Sequence, residues 1–259
     1  MNIQFSKYQG AGNDFILIDH RESPLQQIDE TLVAKLCDRR FGIGADGLMF
    51  LISHSEYDFE MVYYNADGKL GSMCGNGGRC ITAFAKHLGI IDSETTFLAV
   101  DGLHYAKISA EGNWVELQMI NVDQVEMDGD AYLLNTGSPH YVTEASGLDT
   151  LDVYQEGRRI RYNDTYQAKG INVNFVEDKT DHLFVRTYER GVEDETYACG
   201  TGATAVALSR AKKADQRGHI ETPIKVLGGN IKVKFDYDGT TFTNVFLCGP
   251  AEKVFDGKI

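Results

Sequence analysis

The sequence of 259 residues lacks several features that define specialised protein classes. It has no run of about 20 apolar residues, which argues against a membrane-spanning helix. The first residues lack the basic start and apolar core of a secretory signal, so we expect a cytoplasmic protein. Only 25 Lys and Arg residues stand against 38 Asp and Glu residues, a formal net charge of −13. This balance disfavours nucleic acid as a partner, because phosphate binding requires a basic surface.

The cysteines do not form the common structural patterns. Five cysteines without an export signal argue against a disulfide framework. No Cys-x-x-Cys pair occurs and the histidines do not fall at zinc-site spacing, so we expect no bound metal. We expect reduced thiols, some of them reactive. The five are Cys37, Cys74, Cys80, Cys199 and Cys248.

Alternating apolar and polar residues indicate a chain made mostly of strands. Clear strand patterns occupy residues 59–64, 114–119, 183–188 and 231–235. Asp-Gly and other glycine-containing turns separate such segments. Only three segments predict helices, at about residues 29–39, 77–88 and 202–213.

Two of the three predicted helices begin alike. Cys74-Gly75-Asn76-Gly77 opens one, Cys199-Gly200-Thr201-Gly202 opens the other, and each follows a strand and a glycine-bearing turn. A repeat at about half the chain length predicts two similar domains rather than a solenoid. We place the first domain at residues 1–118 and the second at 119–249, with a last strand at about 250–259 joining the first.

A cysteine at a helix start has a chemical meaning. Unpaired N–H groups and the helix dipole lower the pKa of a thiol there and attract carboxylates. One such motif would equally fit a small buried residue beside a turn, but two in matching contexts favour function. Two thiols suit inversion of a carbon centre, where one group removes a proton and another delivers one to the opposite face. Helix N-termini would stabilise the developing charge.

Further motifs extend across nearly the whole chain, and with them the sequence resembles the diaminopimelate epimerase family. The motifs that carry the resemblance are Gly12-Asn13-Asp14-Phe15, Arg40-Phe41-Gly42-Ile43-Gly44-Ala45-Asp46-Gly47, Asn65-Ala66-Asp67-Gly68, Met73-Cys74-Gly75-Asn76-Gly77, Arg79-Cys80, Pro139-His140, Asn172-Val173-Asn174-Phe175, Glu189-Arg190-Gly191, Ala198-Cys199-Gly200-Thr201-Gly202 and Cys248-Gly249-Pro250-Ala251.

The resemblance implies a fold and an activity. The fold is α+β, with two pseudo-symmetric domains, each a mixed, mostly antiparallel curved sheet or barrel around a central helix, and an active site in the cleft between them. The activity is an isomerase reaction that interconverts L,L- and meso-diaminopimelate in lysine and peptidoglycan precursor biosynthesis. It needs neither pyridoxal phosphate nor another cofactor. The expected partner is this small amino acid, and a homodimer is plausible.

The resemblance also implies residue roles. Cys74 is the proton donor and Cys199 the acceptor in one direction, while His140 and Glu189 support the catalytic centre. Arg190 offers a planar, bidentate donor for the distal carboxylate of the substrate. The implied substrate-binding residues are Asn13, Asn65, Gly75, Asn76, Ser138, Asn172, Glu189, Arg190, Gly200 and Thr201.

Without the resemblance, several of these residues have ordinary interpretations. Asn13 and Asn65 would be turn residues, Glu189 and Arg190 a surface ion pair, and His140 a loop histidine. Cys37, Cys80 and Cys248 keep such an interpretation, as buried packing residues.

The sequence departs from the family pattern in three places. Ser138 stands where the family commonly has Asn, and a hydroxyl reaches less far than an amide. Gly47 stands where some members carry a Gln that contacts the substrate. The loop at residues 191–196 is one residue longer than the common form. These changes concern substrate contacts and leave both cysteine motifs intact.

Two alternatives remain open. A proline or hydroxyproline racemase-like enzyme would use a similar cysteine pair, but it carries His where this chain has Asn76 and lacks the Glu189-Arg190 motif. A binding or redox protein would instead join Cys74 and Cys199 in a regulatory disulfide. Activity confined to reducing conditions would favour the enzyme.

Overall fold

Strands joined by short turns form most of the protein, whose computed structural model describes residues 3–22, 29–71 and 73–259. Two units emerge from the contacts within the chain. One comprises Met1–Leu117 and Gly249–Ile259, and the other comprises Gln118–Cys248. Among the described residues, none of the helices has the length and apolar character needed to cross a membrane.

The first unit is a mixed sheet with two helices. Along the chain its elements are β1 (Gln4–Gly10), β2 (Asn13–Asp19), α1 (Glu30–Cys37), β3 (Gly47–Ile52), β4 (Phe59–Asn65), α2 (Gly75–His87), β5 (Glu94–Ala99), β6 (Gly102–Ile108), β7 (Trp114–Gln118) and, at the end of the chain, β17 (Glu252–Lys258). The strands pair in the order β17-β1-β2-β3-β4-β5-β6-β7. The β2–β3 and β4–β5 pairs are parallel and the others antiparallel.

The sheet of the first unit is covered on both faces, which explains its apolar strands. Leu48 and Phe50 of β3 pack with Val33 and Leu36 of α1. Met49 points the other way, because neighbouring residues of a strand face opposite sides of a sheet, and it lies against α2. Strands buried on both faces consist of continuous apolar runs rather than alternating ones.

The second unit is built from the same kinds of element. These are β8 (Val125–Asp128), β9 (Ala131–Asn135), β10 (Pro139–Glu144), a short 3-10 helix (Leu148–Thr150), α3 (Val153–Arg161), β11 (Asn172–Asp178), β12 (Leu183–Glu189), β13 (Asp194–Thr196), α4 (Gly200–Lys213), β14 (Gly218–Val226), β15 (Gly229–Tyr237) and β16 (Phe242–Pro250).

The two units share one strand topology. In the second, β9-β10-β11-β12-β14-β15-β16 pair in that order, with β10–β11 and β12–β14 parallel. Each of these strands has a counterpart in the series β1 to β7 with the same direction of pairing. Helices α2 and α4 follow equivalent strands. The expected α+β class with two repeated, mostly antiparallel mixed sheets is therefore confirmed.

The helices agree with the sequence expectation in three cases out of four. Helices α1, α2 and α4 are confirmed, although α2 and α4 begin two residues earlier than predicted. Helix α3 was missed. It buries only Val153, Gly157 and Ile160, which recur at helical spacing, but just two of these three residues are apolar and the rest of the segment is mostly polar. It occupies the place in the second unit that α1 has in the first.

Candidate active site

Cys74 and Cys199 occupy the N-cap positions of α2 and α4. Their backbone angles nearly coincide, with φ −111° and ψ 124° for Cys74 and φ −108° and ψ 108° for Cys199. The carbonyl oxygen of each cysteine accepts the first intrahelical bond, from Gly78 N at 2.8 Å and from Ala203 N at 2.9 Å. Each thiol therefore lies where the N–H groups of the first turn concentrate positive potential.

The glycines after these cysteines differ in their positions and surroundings. Gly75 and Gly200 are the first residues of the two helices and are buried. A side chain on Gly77 would lie 2.9 Å from the Met49 methyl group, and one on Gly202 would lie 2.2 Å from Asn174 Oδ1. Gly77 and Gly202 therefore allow the helices to pack closely against their own sheets. This packing is a reason for glycine that is separate from the approach of a ligand.

The remaining three cysteines, Cys37, Cys80 and Cys248, are buried. Burial raises the pKa of Cys37 to about 11 and that of Cys80 to about 12, although nearby Lys7 and Arg79 oppose the shifts. Both residues therefore stay thiols at neutral pH. Cys248 is fully buried in β16.

Three of the expected site residues meet at the start of α2. Asn13 Oδ1 lies 3.6 Å from Cys74 Sγ and accepts a hydrogen bond from Asn76 Nδ2 at 3.2 Å. Asn76 Oδ1 in turn accepts from Arg79 Nη2 at 3.0 Å. Asn65 is exposed at the end of β4, opposite Gly47 in the neighbouring strand. The turn between β1 and β2, at Ala11 and Gly12, thus places an amide directly against one thiol.

A charged cluster, which sequence reasoning missed, supports Asn13. The side-chain nitrogen of Asn13 donates to Asp46 Oδ2, and Arg39 Nη2 donates to Asp46 Oδ1 at 2.7 Å. Arg39 also pairs with Asp14 at 2.6 Å, and Lys7 pairs with Asp14 at 2.7 Å. Burial raises the pKa of Asp14, but hydrogen bonds from Arg39 and Lys7 outweigh it and lower that pKa to about 2.

In the second unit, Asn172 connects the expected substrate-binding residues. Its Nδ2 donates to Ser138 Oγ at 2.8 Å, and its Oδ1 accepts from the backbone N–H of Arg190 at 2.9 Å. Arg190 Nη2 donates to the same Ser138 hydroxyl at 3.3 Å. The structure therefore brings Ser138, Asn172 and Arg190 together, with the guanidinium of Arg190 exposed.

His140 is a buried, neutral ring. Burial lowers its pKa from 6.5 to about 3, and the charge of Arg190 adds to the shift. Asn174 Nδ2 lies 3.1 Å from His140 Nδ1, while Asn174 Oδ1 accepts from Thr187 Oγ1 at 3.0 Å. Because that amide nitrogen is a donor, His140 Nδ1 is the acceptor and Nε2 carries the proton. Nε2 has no hydrogen-bond partner among the described residues.

Glu189 and Thr201 have contacts close to α4. Glu189 Oε2 accepts from Thr196 Oγ1 at 2.9 Å, across the β12–β13 pair. Thr201 Oγ1 lies 3.5 Å from Cys199 Sγ, and the Thr201 carbonyl accepts from Thr136 Oγ1 at 2.8 Å. The second thiol therefore neighbours a hydroxyl, whereas the first neighbours an amide carbonyl.

Several of the supporting residues carried a signal in the sequence. Asn174 follows Asn172 by two positions, so both amides lie on one face of β11. Asp14 and Asp46 lie inside quoted motifs but had no assigned role. In the described part of the chain, no three His, Cys, Asp or Glu residues are grouped as metal ligands.

Comparison with known proteins identifies the family of the chain. The family model for diaminopimelate epimerase matches residues 5–125 and 132–254. A diaminopimelate epimerase of Flavobacterium psychrophilum is 52% identical over 254 residues, covering 98% of each chain. One from Aquifex aeolicus is 37% identical over 278 residues, covering 99% of this chain and 98% of its own.

Solved structures with low sequence identity share the fold. A Bacillus anthracis phenazine biosynthesis protein of the PhzF family superposes with a TM-score of 0.77 at 14% identity, covering 100% of this chain and 99% of its own. A probable proline racemase from Agrobacterium radiobacter K84 gives 0.72 at 14% identity, covering 99% and 92%. With the sequence matches spanning almost every residue, the chain belongs to the diaminopimelate epimerase family.

Proposed function

We propose that this protein epimerises L,L-diaminopimelate to meso-diaminopimelate by proton transfer between substrate and two cysteines. The observation that carries the proposal is the matching pair of N-cap cysteines, Cys74 and Cys199, in a chain of this family. In one direction, the Cys199 thiolate removes the α-proton and the Cys74 thiol delivers one to the opposite face. The roles exchange in reverse. The reaction belongs to lysine and peptidoglycan precursor biosynthesis.

The α-proton of an amino acid is a very weak acid, so the developing charge must be stabilised. The first turns of α2 and α4, at Gly75-Asn76 and Gly200-Thr201, offer backbone N–H groups to the reacting carboxylate. A helix N-terminus also brings the pKa of a thiol toward neutrality, where a single group serves as acid or base. This chemistry draws on the protein alone and uses no cofactor or metal.

The second charged end of the substrate needs its own recognition. The exposed guanidinium of Arg190 is a bidentate partner for the distal carboxylate, and Ser138 and Asn172 orient it. Glu189 offers a carboxylate to an ammonium group. We assign further substrate contacts to Asn13 and Asn65. His140 supports the catalytic centre as a neutral hydrogen-bonding ring, since burial keeps it uncharged.

We also propose that the two compact units are the two epimerase domains and that the last strand belongs to the first. We further propose a homodimer, on the basis of the family resemblance, and a cytoplasmic location. Sedimentation of the purified protein tests the first, since a monomer at micromolar concentration would contradict it. A proline racemase-like activity is disfavoured, because a ring substrate has no distal carboxylate for Arg190.

The decisive experiment is incubation of the reduced protein with L,L-diaminopimelate in D₂O and no added cofactor. We expect meso product with deuterium at the inverted α-carbon. Cys74→Ala and Cys199→Ala should each abolish epimerisation, whereas Cys37→Ala, a control at a buried structural thiol, should retain it. Deuterium exchange that persisted in the double variant, or bound pyridoxal phosphate in the active protein, would refute the two-thiol mechanism.

A further inference from the structure

A chain of hydrogen bonds inside the first unit runs from a buried guanidinium to a carboxylate through two amides. Arg79 Nη2 donates to Asn76 Oδ1 at 3.0 Å, and Asn76 Nδ2 donates to Asn13 Oδ1 at 3.2 Å. Asn13 Nδ2 then donates to Asp46 Oδ2. Arg79 and Asn76 are almost completely buried, so water does not compete for these bonds.

The two ends of this chain determine how both amides are oriented. A guanidinium can only donate hydrogen bonds, and an ionised carboxylate can only accept them. Arg79 therefore requires the oxygen of Asn76, which turns the Asn76 nitrogen toward Asn13. Asp46 requires the nitrogen of Asn13, which turns the Asn13 oxygen toward Asn76. Reversing either amide would place two donors or two acceptors against each other.

The carboxylate end of the chain is itself anchored. Asp46 Oδ1 accepts from Arg39 Nη2 at 2.7 Å, and Asp46 Oδ2 also accepts from the backbone N–H of Asp14 at 3.1 Å. In return, the backbone N–H of Asp46 donates to the carbonyl of Asp14 at 2.9 Å. Both the side chain and the backbone of Asp46 are therefore hydrogen-bonded, which fixes the position of the carboxylate that accepts from Asn13.

The orientation of the Asn13 amide determines which atom Cys74 faces. Its sulfur lies 3.6 Å from the same Asn13 oxygen, within reach of a hydrogen bond from the thiol. A carbonyl oxygen accepts from S–H but repels a thiolate. We propose that Asp46 and Arg79 are positioning residues that hold the Asn13 carbonyl against Cys74 and thereby keep this thiol protonated in the resting enzyme. The inference rests on the proposed function, in which Cys74 is the proton donor in one direction of the reaction.

This arrangement makes two otherwise equivalent thiols unequal. Both lie at helix N-termini with nearly the same backbone angles, so the helix dipole favours the thiolate at each. Cys199 has the Thr201 hydroxyl at 3.5 Å, which can donate to a thiolate. Cys74 has a carbonyl, which cannot. A two-base epimerase needs one thiol and one thiolate before substrate binds, and these neighbours supply that difference.

The charged groups near Asn13 would by themselves favour the thiolate form of Cys74. The charged groups joined by hydrogen bonds or ion pairs in the cluster around Asn13 are Lys7 of β1, Asp14 of β2, Arg39 and Asp46 between α1 and β3, and Arg79 of α2. Three are positive and two are negative, so their sum favours a thiolate. The orientation of the Asn13 amide is therefore the feature that favours the protonated form.

The test measures the ionisation of Cys74 directly, in the full chain carrying Cys199→Ala. Iodoacetamide alkylation of the Cys74 peptide is followed by mass spectrometry from about pH 5 to about pH 10, because only the thiolate reacts. Asn13→Ala removes the acceptor without changing charge. We expect it to lower the midpoint of alkylation by about 0.5 to 1 pH unit. An unchanged or raised midpoint would overturn the proposal.

Asp46→Ala separates orientation from charge. If Asp46 acts through the amide, this substitution lowers the midpoint when Asn13 is present and has much less effect in the Asn13→Ala background. Equal shifts in both backgrounds would mean that Asp46 acts only as a charge, which would contradict the positioning role. Should Asp46→Ala not fold, as judged by circular dichroism, Asp46→Asn enters the same cycle. It keeps the shape but cannot accept from Arg39 and Asn13 together.

The assay contains no substrate, so its outcome is independent of the proposed function. An expected midpoint shift in a protein that does not epimerise diaminopimelate would refute the activity alone. Epimerisation without any shift would refute only the role of Asn13.

Discussion

The amide of Asn172 links the hydroxyl of Ser138 to the backbone of Arg190. It donates to Ser138 Oγ at 2.8 Å and to the Pro139 carbonyl at 3.0 Å, and it accepts from Arg190 N at 2.9 Å. One buried side chain therefore determines where the loop after β12 and the start of β10 lie relative to each other. A substitution that changes which groups Asn172 donates to or accepts from should therefore affect both the loop after β12 and the start of β10.

Asn172→Asp is expected to weaken substrate binding and lower stability. A carboxylate cannot donate, so it would place an oxygen against the Pro139 carbonyl. We expect a loss of about 1–3 kcal/mol in the free energy of unfolding, measured with urea, and a raised KM for diaminopimelate. Asn163→Asp is the matched control, because that exposed side chain only accepts, from Thr165 N and Tyr166 N. Equal stability of the two variants would contradict the prediction.

Ser138→Ala is expected to change KM more than kcat. The hydroxyl accepts from Arg190 Nη2 and from Asn172 Nδ2, and its loss frees the guanidinium that we assign to the distal carboxylate. A lost hydrogen bond of about 1 kcal/mol corresponds to a KM increase of about fivefold. Steady-state kinetics with diaminopimelate measure the change, and Ser138→Thr should restore binding in part. A fall in kcat at unchanged KM would argue against this assignment.

Gly47 is expected to resist any side chain because of Tyr63. A Cβ atom there would lie 2.4 Å from the Tyr63 ring and 2.7 Å from the Tyr64 carbonyl oxygen. Gly47→Ala should therefore cost about 1–3 kcal/mol in urea unfolding. Tyr63→Leu should recover part of that loss in the double variant, since it removes the ring but not the carbonyl. Strictly additive losses would show that the ring is not the obstacle.

His140 should make the protein less stable as pH falls. Above pH 6.5 the ring is neutral in both folded and unfolded chains, so it contributes no pH dependence. Below that value the unfolded chain takes up a proton, but burial keeps the folded ring neutral down to about pH 3. Stability should fall across this window, with a limiting slope of about 1.4 kcal/mol per pH unit from this residue.

Urea unfolding of the wild-type protein and His140→Gln between about pH 7 and about pH 4.5 measures the slope. The variant should show a flatter dependence, whereas His219→Gln, a control at an exposed histidine, should follow the wild-type curve. Parallel curves for His140→Gln and the wild type would mean that the folded ring is protonated in this range.

The sequence alone determined the features that depend on local pattern. Helix starts at both cysteines, the repeat that relates them and the predominance of strands follow from residue spacing and from glycine-bearing turns. Helix α3 was missed although its buried residues recur at helical spacing, because only Val153 and Ile160 on that face are apolar and the segment is otherwise mostly polar. The repeat itself contained the missing information, since α1 occupies the equivalent place in the first unit.

Only the tertiary structure decided which distant residues surround Cys74 and His140. Asp46 reaches Asn13 across 33 residues, and Asn174 reaches His140 across 34. Such contacts depend on the register of neighbouring strands, which no local pattern specifies. The sequence therefore determined that two cysteines begin two helices, because helix capping is local. Folding decided that Cys74 faces the carbonyl of Asn13, 61 residues away, because such partners meet only when distant segments pack together, whereas the Thr201 hydroxyl beside Cys199 lies only two residues along the chain.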